Sequence, residues 1–305
     1  MTPSSESVDG LSRELWVFAE QQVGQIHNVE DCSGPRENSR VWRITAGRHH
    51  RTSYLKQHPS PTFHAREVQA YAHWTPALPH DQAPQLLAAD PALSAMLLTA
   101  LPGITPDQHS LPIEDEQEIH RQLGLLLAAF HHSQPRRPPT QDHPDLGSLQ
   151  RHLAAASPYL TAGDGVLAGR MAVRLATLAP LPHVPTHGDA QLRNTVWNPE
   201  TRTLALIDYE RAAYAPAVRD LIRLQYGPWD KRPDLKTAFF TGFGQALTQH
   251  ETQHLQAMAA LDAISGIAYG VTAGDDDVIA RGHRTLARLH TPTNPHHPPS
   301  TEDLT

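Results

Sequence analysis

The chain has 305 residues, of which 39% are hydrophobic, and a formal net charge of −7 with its 21 histidines neutral. This length allows two domains or lobes around a sizeable core, and an acidic balance without a basic stripe argues against a nucleic-acid partner. The single cysteine excludes an internal disulfide, and no apolar run approaches the roughly 18 residues of a membrane span. The first ten residues lack a signal-peptide pattern. We therefore expect a cytoplasmic protein without a membrane partner, either a monomer or a homodimer.

Strand and helix patterns alternate in the first third of the chain. Residues 11–22 predict a short amphipathic helix with Leu11, Leu15, Phe18 and Ala19 on one face. Four strand-like runs and one further helix follow, the helix ending before a proline. The strands are predicted at 40–45, 52–57, 84–89 and 94–100, and the helix at 62–75.

Beyond "LPGITP" (101–106) the patterns are mainly helical. Residues 114–133 carry an apolar stripe at helical spacing, with acids at the start and histidines at the end. Two short strands interrupt the helical part, at 192–197 and 203–208, and further helices are predicted within 145–179 and at 216–226, 233–248, 251–270 and 276–289. These patterns predict an α+β protein of two lobes with a cleft between them.

The stretch "PTHGDAQLRNTVW" (185–197) places Asn194 five residues after Asp189, and "IDYE" (207–210) ends a predicted strand with Asp208. An acid at the end of a buried strand is best stabilised by a cation, and Mg²⁺ favours a few protein oxygens with water and phosphate completing its shell. We interpret Asp189 as a base and the other two residues as magnesium ligands. Taken alone, Asp189 and Asn194 are equally typical of a turn.

Two charged residues of the first third fit the same chemistry. Lys56 lies in the middle of the predicted strand "YLKQ", in a chain where only three of the 25 lysine and arginine residues are lysine. A compact ammonium suits a buried pair of phosphates better than a planar guanidinium does. Glu67 follows in the predicted helix, where it is placed to pair with Lys56. An exposed lysine and a solvated glutamate are the alternative, but all five residues in this order favour a site.

These residues resemble a known family. "HGD" (187–189), Asn194, "ID" (207–208), Lys56 and Glu67 are similar to the motifs of the aminoglycoside phosphotransferase family, which has a protein-kinase-like bilobal fold. The resemblance covers about residues 23–290 and is most specific in 184–224.

The resemblance implies a division of the chain. A small antiparallel-sheet N-lobe with one main helix would occupy residues 1–98 and bind the nucleotide. A hinge at 99–103 would lead to a larger, mainly helical C-lobe at 104–290, which would carry the catalytic loop and bind the acceptor. The Pro-rich tail, 291–305, is expected to be disordered, as are residues 1–10.

The resemblance also implies roles in phosphoryl transfer. Asp189 would orient the acceptor hydroxyl and accept its proton, while Asn194 and Asp208 would hold Mg²⁺. Lys56, with Glu67 behind it, would position the α- and β-phosphates of ATP or GTP. The enzyme would contribute mainly positioning and charge neutralisation.

Further contacts with the nucleotide are implied by weaker matches. "MLLTALPG" (96–103) looks like the family's hinge, so Thr99 and Leu101 would meet the adenine through their backbone groups. The segment "DCSGPRENSRVW" (31–42) lacks a G-x-G-x-x-G pattern, but backbone N–H groups from Glu37 to Ser39 would still cover the phosphates.

Four residues in or near the predicted catalytic loop have roles other than direct catalysis or roles that stay open. His187 and Asp220, the latter in "RDLIRL" (219–224), would support the loop rather than do chemistry. Arg193 stands where many relatives have glycine and would reach either phosphate or solvent. Gly188 stands where protein kinases carry an arginine that reads an activation-loop phosphate, which implies a constitutively active enzyme.

A rival motif, "HETQH" (250–254), matches the H-E-x-x-H zinc signature. On a helix, His250 and His254 would share a face, with Glu251 beside them. No third ligand is signalled, because Ala260 stands where the extended motif needs histidine. In a chain with 21 histidines such matches arise by chance, and we discount the adjacent pairs, His131–His132 among them, for the same reason.

The acceptor is less constrained than the donor. The run "AGDDDV" (273–278), with Glu251 and Asp262, offers acids for a cationic acceptor, whereas a helix cap and first turn explain Asp275 to Asp277 better. Three hypotheses remain: a phosphotransferase acting on an aminoglycoside-like or other antibiotic, a kinase for Ser or Thr of a natural-product precursor peptide working with a partner protein, and a catalytically dead nucleotide-binding module. The complete set of motif residues argues against the third.

Overall fold

The structure is a computed structural model that describes residues 10–34, 39–138 and 146–291. The chain forms two compact units, one of Met1–Pro139 and Pro182–Ala246 and the other of Thr140–Leu181 and Leu247–Thr305. The predicted hinge lies inside the first unit, so the division at 99–103 stays a prediction. The disorder predicted for residues 1–10 and 291–305 lies outside the described residues, except at Gly10 and Thr291, which the structure describes.

The first half of the first unit matches the predicted order of elements, with one strand added at the start. Its helices and strands are α1 (Arg13–Val23), β1 (Ile26–Asp31), β2 (Arg40–Ala46), β3 (Arg51–Gln57), α2 (Pro61–His73), β4 (Leu86–Asp90), β5 (Ala95–Thr99) and α3 (Ile113–His131).

The remaining elements include two short strands that the sequence patterns did not predict, β6 and β9. In chain order the elements are α4 (Leu146–Ala156), α5 (Ala162–Thr177), β6 (His183–Thr186), β7 (Thr195–Asn198), β8 (Thr203–Leu206), β9 (Ala213–Pro216), α6 (Ile222–Gln225), α7 (Pro233–Phe243), α8 (Gln249–Ala273) and α9 (Asp276–His290).

The five strands β1 to β5 form one antiparallel sheet in the order β1-β2-β3-β5-β4. Alternate residues of β2 are buried, among them Trp42 and Ile44, because successive side chains of a strand point to opposite faces. They share a core with Leu11, Leu15, Phe18 and Ala19, the four residues predicted to share the apolar face of the first helix. β1 was missed because "IHNVED" buries only Ile26 and Val29.

Helix α2 carries a charged residue on its buried face. It begins after Ser60, whose hydroxyl accepts a hydrogen bond from the backbone nitrogen of Phe63, with Pro61 as its first residue. Its buried residues include Glu67 and Ala70. A carboxylate is buried at low cost only with cationic or hydrogen-bonding partners, so this placement points to a partner for Glu67.

Helices α3 and α7 pack closely in the helical part of the first unit. Gly124 and Gly242 make this possible, because a methyl group at either position would overlap backbone atoms of the other helix. The predicted helix at 216–226 is shorter than expected: β9 takes residues up to Pro216, a 3₁₀ turn covers Ala217–Leu221, and Pro228 follows soon after α6. Proline lacks the N–H that a continuing helix needs.

The second unit consists of α4, α5, α8 and α9. Leu167 of α5, Ile264 and Ile267 of α8, and Leu286 of α9 lie in one core. Helix α8 begins with a capping box between Thr248 and Glu251. Within 10–34, 39–138 and 146–291, no helix combines the length and hydropathy that a membrane span requires.

Candidate active site

The loop after β6 is shaped by a glycine. Gly188 has φ = 81°, in the left-handed region, and a methyl group here would overlap the carbonyl oxygen of Arg211. Residues with a Cβ are strained at such φ values. This backbone therefore accepts neither the arginine that protein kinases carry at the position nor any other side chain without moving.

Asp220 binds the backbone of this loop through two hydrogen bonds. Its Oδ2 accepts a hydrogen bond from the backbone nitrogen of His187 (2.9 Å) and its Oδ1 accepts one from that of Gly188 (2.6 Å). His131 Nε2 donates to Oδ2 at 2.9 Å. Burial raises the pKa of Asp220, but these bonds outweigh it and leave the pKa below its ordinary value. The buried carboxylate stays ionised and fixes two consecutive peptides of the loop.

His187 connects this loop to the segment before Asp208. Its Nε2 donates to the carbonyl oxygen of Ile207 at 3.0 Å, and its Nδ1 accepts from the backbone nitrogen of Asp189 at 3.4 Å. The two contacts are satisfied together by the neutral ring protonated at Nε2. The side chain is thereby fixed in one orientation between the two motifs.

The carboxylate of Asp189 is surrounded by donors. Gln191 Nε2 donates to Oδ1 at 2.7 Å, whereas Arg193 (2.9 Å) and Asn194 (3.2 Å) donate to Oδ2. Arg223 Nε lies 3.5 Å from Oδ1. Burial raises the pKa of Asp189, but the guanidinium groups of Arg193 and Arg223 outweigh it and hold the pKa well below its ordinary value. Asp189 is therefore an ionised, oriented acceptor.

The β7–β8 hairpin brings Asn194 beside Asp208. Thr195 pairs with Leu206, and the backbone nitrogen of Ile207 donates to the carbonyl oxygen of Asn194 at 3.0 Å. Asn194 Nδ2 donates to the carbonyl oxygen of Asp189 at 2.9 Å, so its amide oxygen is the atom left for a ligand. The register of this hairpin thus brings together two residues whose side-chain oxygens could bind a metal ion, although they are 14 residues apart in sequence.

Lys56 lies at the centre of a cluster of carboxylates. Its Nζ is 2.6 Å from Asp208 Oδ1, 2.7 Å from Glu67 Oε2 and 3.3 Å from Glu210 Oε2. Burial lowers the pKa of Lys56, but the three carboxylates outweigh it and hold the pKa well above its ordinary value. The ammonium is permanently charged.

Glu67 ties α2 to the "IDYE" segment. Its Oε1 accepts from the backbone nitrogen of Tyr209 at 3.1 Å, while His58 Nε2 and Lys56 Nζ approach Oε2 at 2.6 and 2.7 Å. Burial raises the pKa of Glu67, but Lys56 and His58 outweigh it and lower the pKa to about 2. One ionised carboxylate therefore orders the sheet's lysine, the main helix and the segment after β8.

Asp208 is held in an uncommon backbone conformation, with φ = 66° for a residue that has a Cβ. Such conformations persist where surrounding contacts impose them and are typical of functional sites. Burial, with the charges of Glu67 and Glu210 nearby, outweighs Lys56 and raises the pKa of Asp208. Three carboxylates face one ammonium, and this excess of negative charge, with the Asn194 amide oxygen, fits a divalent cation with oxygen ligands.

Most of the chain, including the residues of this site, matches one protein family. The phosphotransferase enzyme family (APH) matches residues 28–261. The chain belongs to this family. It is a phosphotransferase, an enzyme that transfers a phosphoryl group to an alcohol group, as the sequence motifs predicted. No curated protein matches the chain.

Solved structures of antibiotic phosphotransferases share its fold. The gentamicin complex of APH(2")-IIa is 15% identical, with a TM-score of 0.67 over 93% of this chain and 98% of the other. Spectinomycin phosphotransferase APH(9)-Ia with ADP and spectinomycin is 12% identical, with a TM-score of 0.62 over 92% and 94%. Macrolide 2'-phosphotransferase MphH from Brachybacterium faecium is 17% identical, with a TM-score of 0.58 over 93% and 99%. The predicted protein-kinase-like α+β fold is confirmed.

Five residues of this candidate site were missed from the sequence, including Gln191 and Arg223 beside Asp189. His131 was discounted as half of a chance pair, yet it is buried and donates to Asp220. The sequence patterns assign no role to His58 or to Glu210, the last residue of "IDYE". Glu210 could have been found from the sequence, because it lies two residues after Asp208. His58 and His131 could not, because only the fold brings them next to the carboxylates that they contact.

The residues predicted to contact the nucleotide differ in location and in whether their polar groups are free to bind it. Ser39 donates from Oγ to Glu210 Oε2 at 2.9 Å, so it lies at the Lys56 cluster. Glu37, predicted to cover the phosphates with it, lies outside the described residues. Thr99 is paired with Gln85 through its backbone nitrogen and its hydroxyl. Leu101 makes no backbone hydrogen bond within the described ranges, so its N–H and C=O are available to a ligand.

The "HETQH" motif lies at the start of α8 in the second unit of the phosphotransferase. Glu251 is the acid of the capping box, where it accepts from the backbone nitrogen of Thr248 at 2.8 Å. His254 is buried and its Nδ1 contacts the carbonyl oxygen of His250 at 3.1 Å. Among the described residues, the group of potential metal ligands that lies close together is a different one, made of His58, Glu67 and Glu210. The motif therefore has a structural explanation.

The acidic run before α9 also has a structural explanation. Asp275 caps the helix by accepting a hydrogen bond from the backbone nitrogen of Val278 at 3.1 Å, and Asp276 and Asp277 form its first turn. Negative charge at this end of a helix is favourable. The cap that we preferred from the sequence is therefore present, and these acids need no cationic acceptor to explain them.

Proposed function

We propose that this phosphotransferase moves the γ-phosphoryl group of ATP or GTP to a hydroxyl of a small molecule, an aminoglycoside-like compound or another antibiotic. The observation that carries the proposal is the convergence, within one compact unit, of an oriented ionised Asp189 with the Lys56–Glu67–Asp208 cluster. A phosphoryl-transfer enzyme needs these two parts, an acceptor-orienting carboxylate and a buried cation for the phosphates.

Lys56 would bind the nucleotide through the oxygens of its α- and β-phosphates. Its ammonium is already held at one place by Glu67 on the side of α2, so little ordering is needed when the phosphates arrive. The predicted hinge would meet the base through backbone groups of Thr99 and Leu101, of which those of Leu101 are unpaired within the described chain.

Asn194 and Asp208 are the residues that would hold Mg²⁺. When bound, the ion would neutralise part of the charge on the phosphates and on the leaving diphosphate. Glu210 is a third carboxylate at the same place, 3.3 Å from Lys56 Nζ. Its contact with Ser39 Oγ would keep it turned toward the cluster before nucleotide binds.

Asp189 would orient the acceptor. The acceptor's oxygen forms the new bond to phosphorus, the bond from phosphorus to the bridging oxygen breaks, and the diphosphate leaves with that electron pair. The hydroxyl proton passes to Asp189. Because the pKa of Asp189 is held low, the proton is accepted late, when the new oxygen–phosphorus bond has made the hydroxyl acidic.

The antibiotics bound in the solved relatives support an antibiotic acceptor, since gentamicin and spectinomycin occupy proteins of the same fold. A precursor peptide is the second candidate for the acceptor. A catalytically dead binding module is disfavoured, because all four motif residues are present and contact each other in pairs: Lys56 with Asp208, and Asn194 with Asp189.

A coupled assay of ADP or GDP release tests the proposal over a panel of aminoglycosides, macrolides, amino alcohols and Ser- or Thr-containing peptides. We expect an antibiotic to be turned over by the wild type and not by Asp189→Asn, with nucleotide binding retained by that variant. Asp208→Ala should weaken binding of the magnesium nucleotide as well. Normal turnover by Asp189→Asn would contradict the mechanism, and turnover of a peptide alone would support the second candidate.

A further inference from the structure

One oxygen of the Asp189 carboxylate, Oδ2, has no position left for the hydroxyl that Asp189 must orient. An ionised carboxylate accepts at about two lone-pair sites on each oxygen. Oδ2 accepts hydrogen bonds from Arg193 (2.9 Å) and Asn194 (3.2 Å), whereas Oδ1 accepts one from Gln191 (2.7 Å) and lies 3.5 Å from Arg223 Nε in an ion pair. With two donors already at Oδ2, an acceptor hydroxyl reaches this oxygen only if one of them withdraws. This inference rests on the proposed function, in which Asp189 receives that hydroxyl.

The two donors at Oδ2 differ in their freedom to move. Asn194 is buried and holds the Asp189 carbonyl oxygen as well, so it stays. The side chain of Arg223 is 15% exposed, whereas that of Arg193 is 38% exposed. Arg193 follows Asp189 by four residues in the 3₁₀ turn Leu192–Asn194, and its long side chain reaches back over the carboxylate.

The oxygen that Arg193 covers is also the one hydrogen-bonded to a predicted metal ligand, Asn194. Oδ2 is shared with Asn194, whose amide oxygen is the predicted metal ligand, whereas Oδ1 is turned toward Gln191 and Arg223. If Asn194 holds the magnesium nucleotide as proposed, the phosphates would lie near Oδ2, within reach of a guanidinium that leaves this oxygen. A guanidinium that gives up a carboxylate is stabilised by another oxyanion of the same geometry.

We propose that Arg193 is a catalytic residue that alternates between two anions. In the free enzyme it covers Oδ2 of Asp189, and with nucleotide bound it moves to the oxygens of the γ-phosphoryl group and opens Oδ2 to the acceptor hydroxyl. Arg193 itself gives up no proton. During transfer the hydroxyl proton goes to Oδ2, the phosphoryl group goes to the acceptor oxygen, and Arg193 neutralises charge on the group in flight.

Nucleotide binding tests this without knowledge of the acceptor. Calorimetry of the full chain with Mg²⁺ would compare AMP-PNP, which has a γ-phosphoryl group, with ADP, which lacks one. We expect Arg193→Gln to weaken AMP-PNP binding about tenfold or more relative to ADP, the effect of one lost charge-assisted hydrogen bond. Arg193→Lys, which keeps the charge, should retain part of the preference for AMP-PNP.

Arg121→Gln is the matched control, because Arg121 is 40% exposed and pairs with Glu118 on α3, away from the site. It should leave the ratio of the two dissociation constants unchanged. An unchanged ratio in Arg193→Gln, or an equal loss of both nucleotides, would overturn the role of Arg193 and leave the phosphotransferase proposal standing. If the wild type bound neither nucleotide, the proposed function would fail, and this inference with it.

Discussion

The carboxylate of Asp220 accepts a hydrogen bond from the backbone nitrogen of Gly188 at 2.6 Å, 32 residues away in sequence. A buried acid therefore holds the peptide that precedes the proposed base, Asp189. The position of Asp189 depends on this contact. It also depends on the absence of a side chain at Gly188, which lets the loop lie close to the carbonyl oxygen of Arg211. Both halves of the relationship can be tested separately.

Asp220→Ala should destabilise the protein by about 3–5 kcal/mol, the typical effect of breaking a buried charged pair, because His131 and two backbone N–H groups lose their acceptor. Asp220→Asn, which keeps one oxygen, should lie between this variant and the wild type. Chemical denaturation gives the free energy of unfolding. Asp107→Ala, at an exposed position, is the control and should change it by less than about 0.5 kcal/mol. Equal stability of both alanine variants would contradict the bracing role.

Gly188→Ala should lower activity by about 100-fold, the effect of misplacing a catalytic group by about 1 Å, because the new methyl displaces the loop from Arg211. The control is Gly244→Ala, since Gly244 has φ = 85° but nothing within 4 Å of the added methyl. It should cost about 1–2 kcal/mol of stability through φ alone and keep its activity. Measured turnover and unfolding of both variants separate strain from collision. Full activity of Gly188→Ala would refute the explanation.

Lys56→Met should destabilise the protein by about 3–5 kcal/mol, because three carboxylates are left without their buried cation. Binding of nucleotide should be lost in the same variant. Lys231→Met, at an exposed lysine, should change stability by less than about 0.5 kcal/mol. Thermal or urea unfolding of the two variants is the measurement, and a stable Lys56→Met would show that the carboxylates are not ionised together.

Asp164→Asn should reduce the stability of the second unit in a pH-dependent way. Burial raises the pKa of Asp164, but Thr161 and His290 outweigh it and lower the pKa below its ordinary value. A lowered pKa in the folded state means stability that is complete above the ordinary pKa of about 3.9 and lost as pH falls through the folded value. The difference from wild type, about 1 kcal/mol, should be full at neutral pH.

Unfolding midpoints at neutral pH and below pH about 4 would check this, since the two proteins should converge at the lower pH as Asp164 is protonated. Thr161→Ala removes the other member of the same capping box, including the hydroxyl that donates to Asp164 Oδ2, so it should cost a similar amount and part of that cost should also disappear on acidification. A difference for Asp164→Asn that grew on acidification would have the wrong sign for this mechanism.

Purified protein without a histidine tag should contain no stoichiometric zinc, because Glu251 is engaged in the capping box and His254 contacts the backbone of its own helix. Elemental analysis is the measurement. His250→Ala should leave activity unaltered. One zinc per chain that disappears in this variant would restore the metal-site interpretation of "HETQH".

Much of the site was predictable because local sequence carries it. The spacing of Asp189 and Asn194, the acid after a buried strand at Asp208 and the lone strand lysine at Lys56 each reflect a local chemical requirement. The same is true of the longer elements, α2 and α8 among them, whose periodicity and caps are written within a few residues. Polar strands such as β1, and the short pair β6 and β9, lack such a local signal.

By itself, then, the sequence determined the family, the protein-kinase-like fold and the reaction. Only the tertiary structure decided that His131 and His58 belong to the site, that Glu210 joins the Lys56 cluster and that Arg193 covers the proposed base. The physical reason is that a hydrogen bond or ion pair depends on distances of about 3 Å, which residues far apart in sequence acquire only when strands, helices and loops have packed. The type of a side chain states what it can bind, and its neighbours in the fold decide what it does bind.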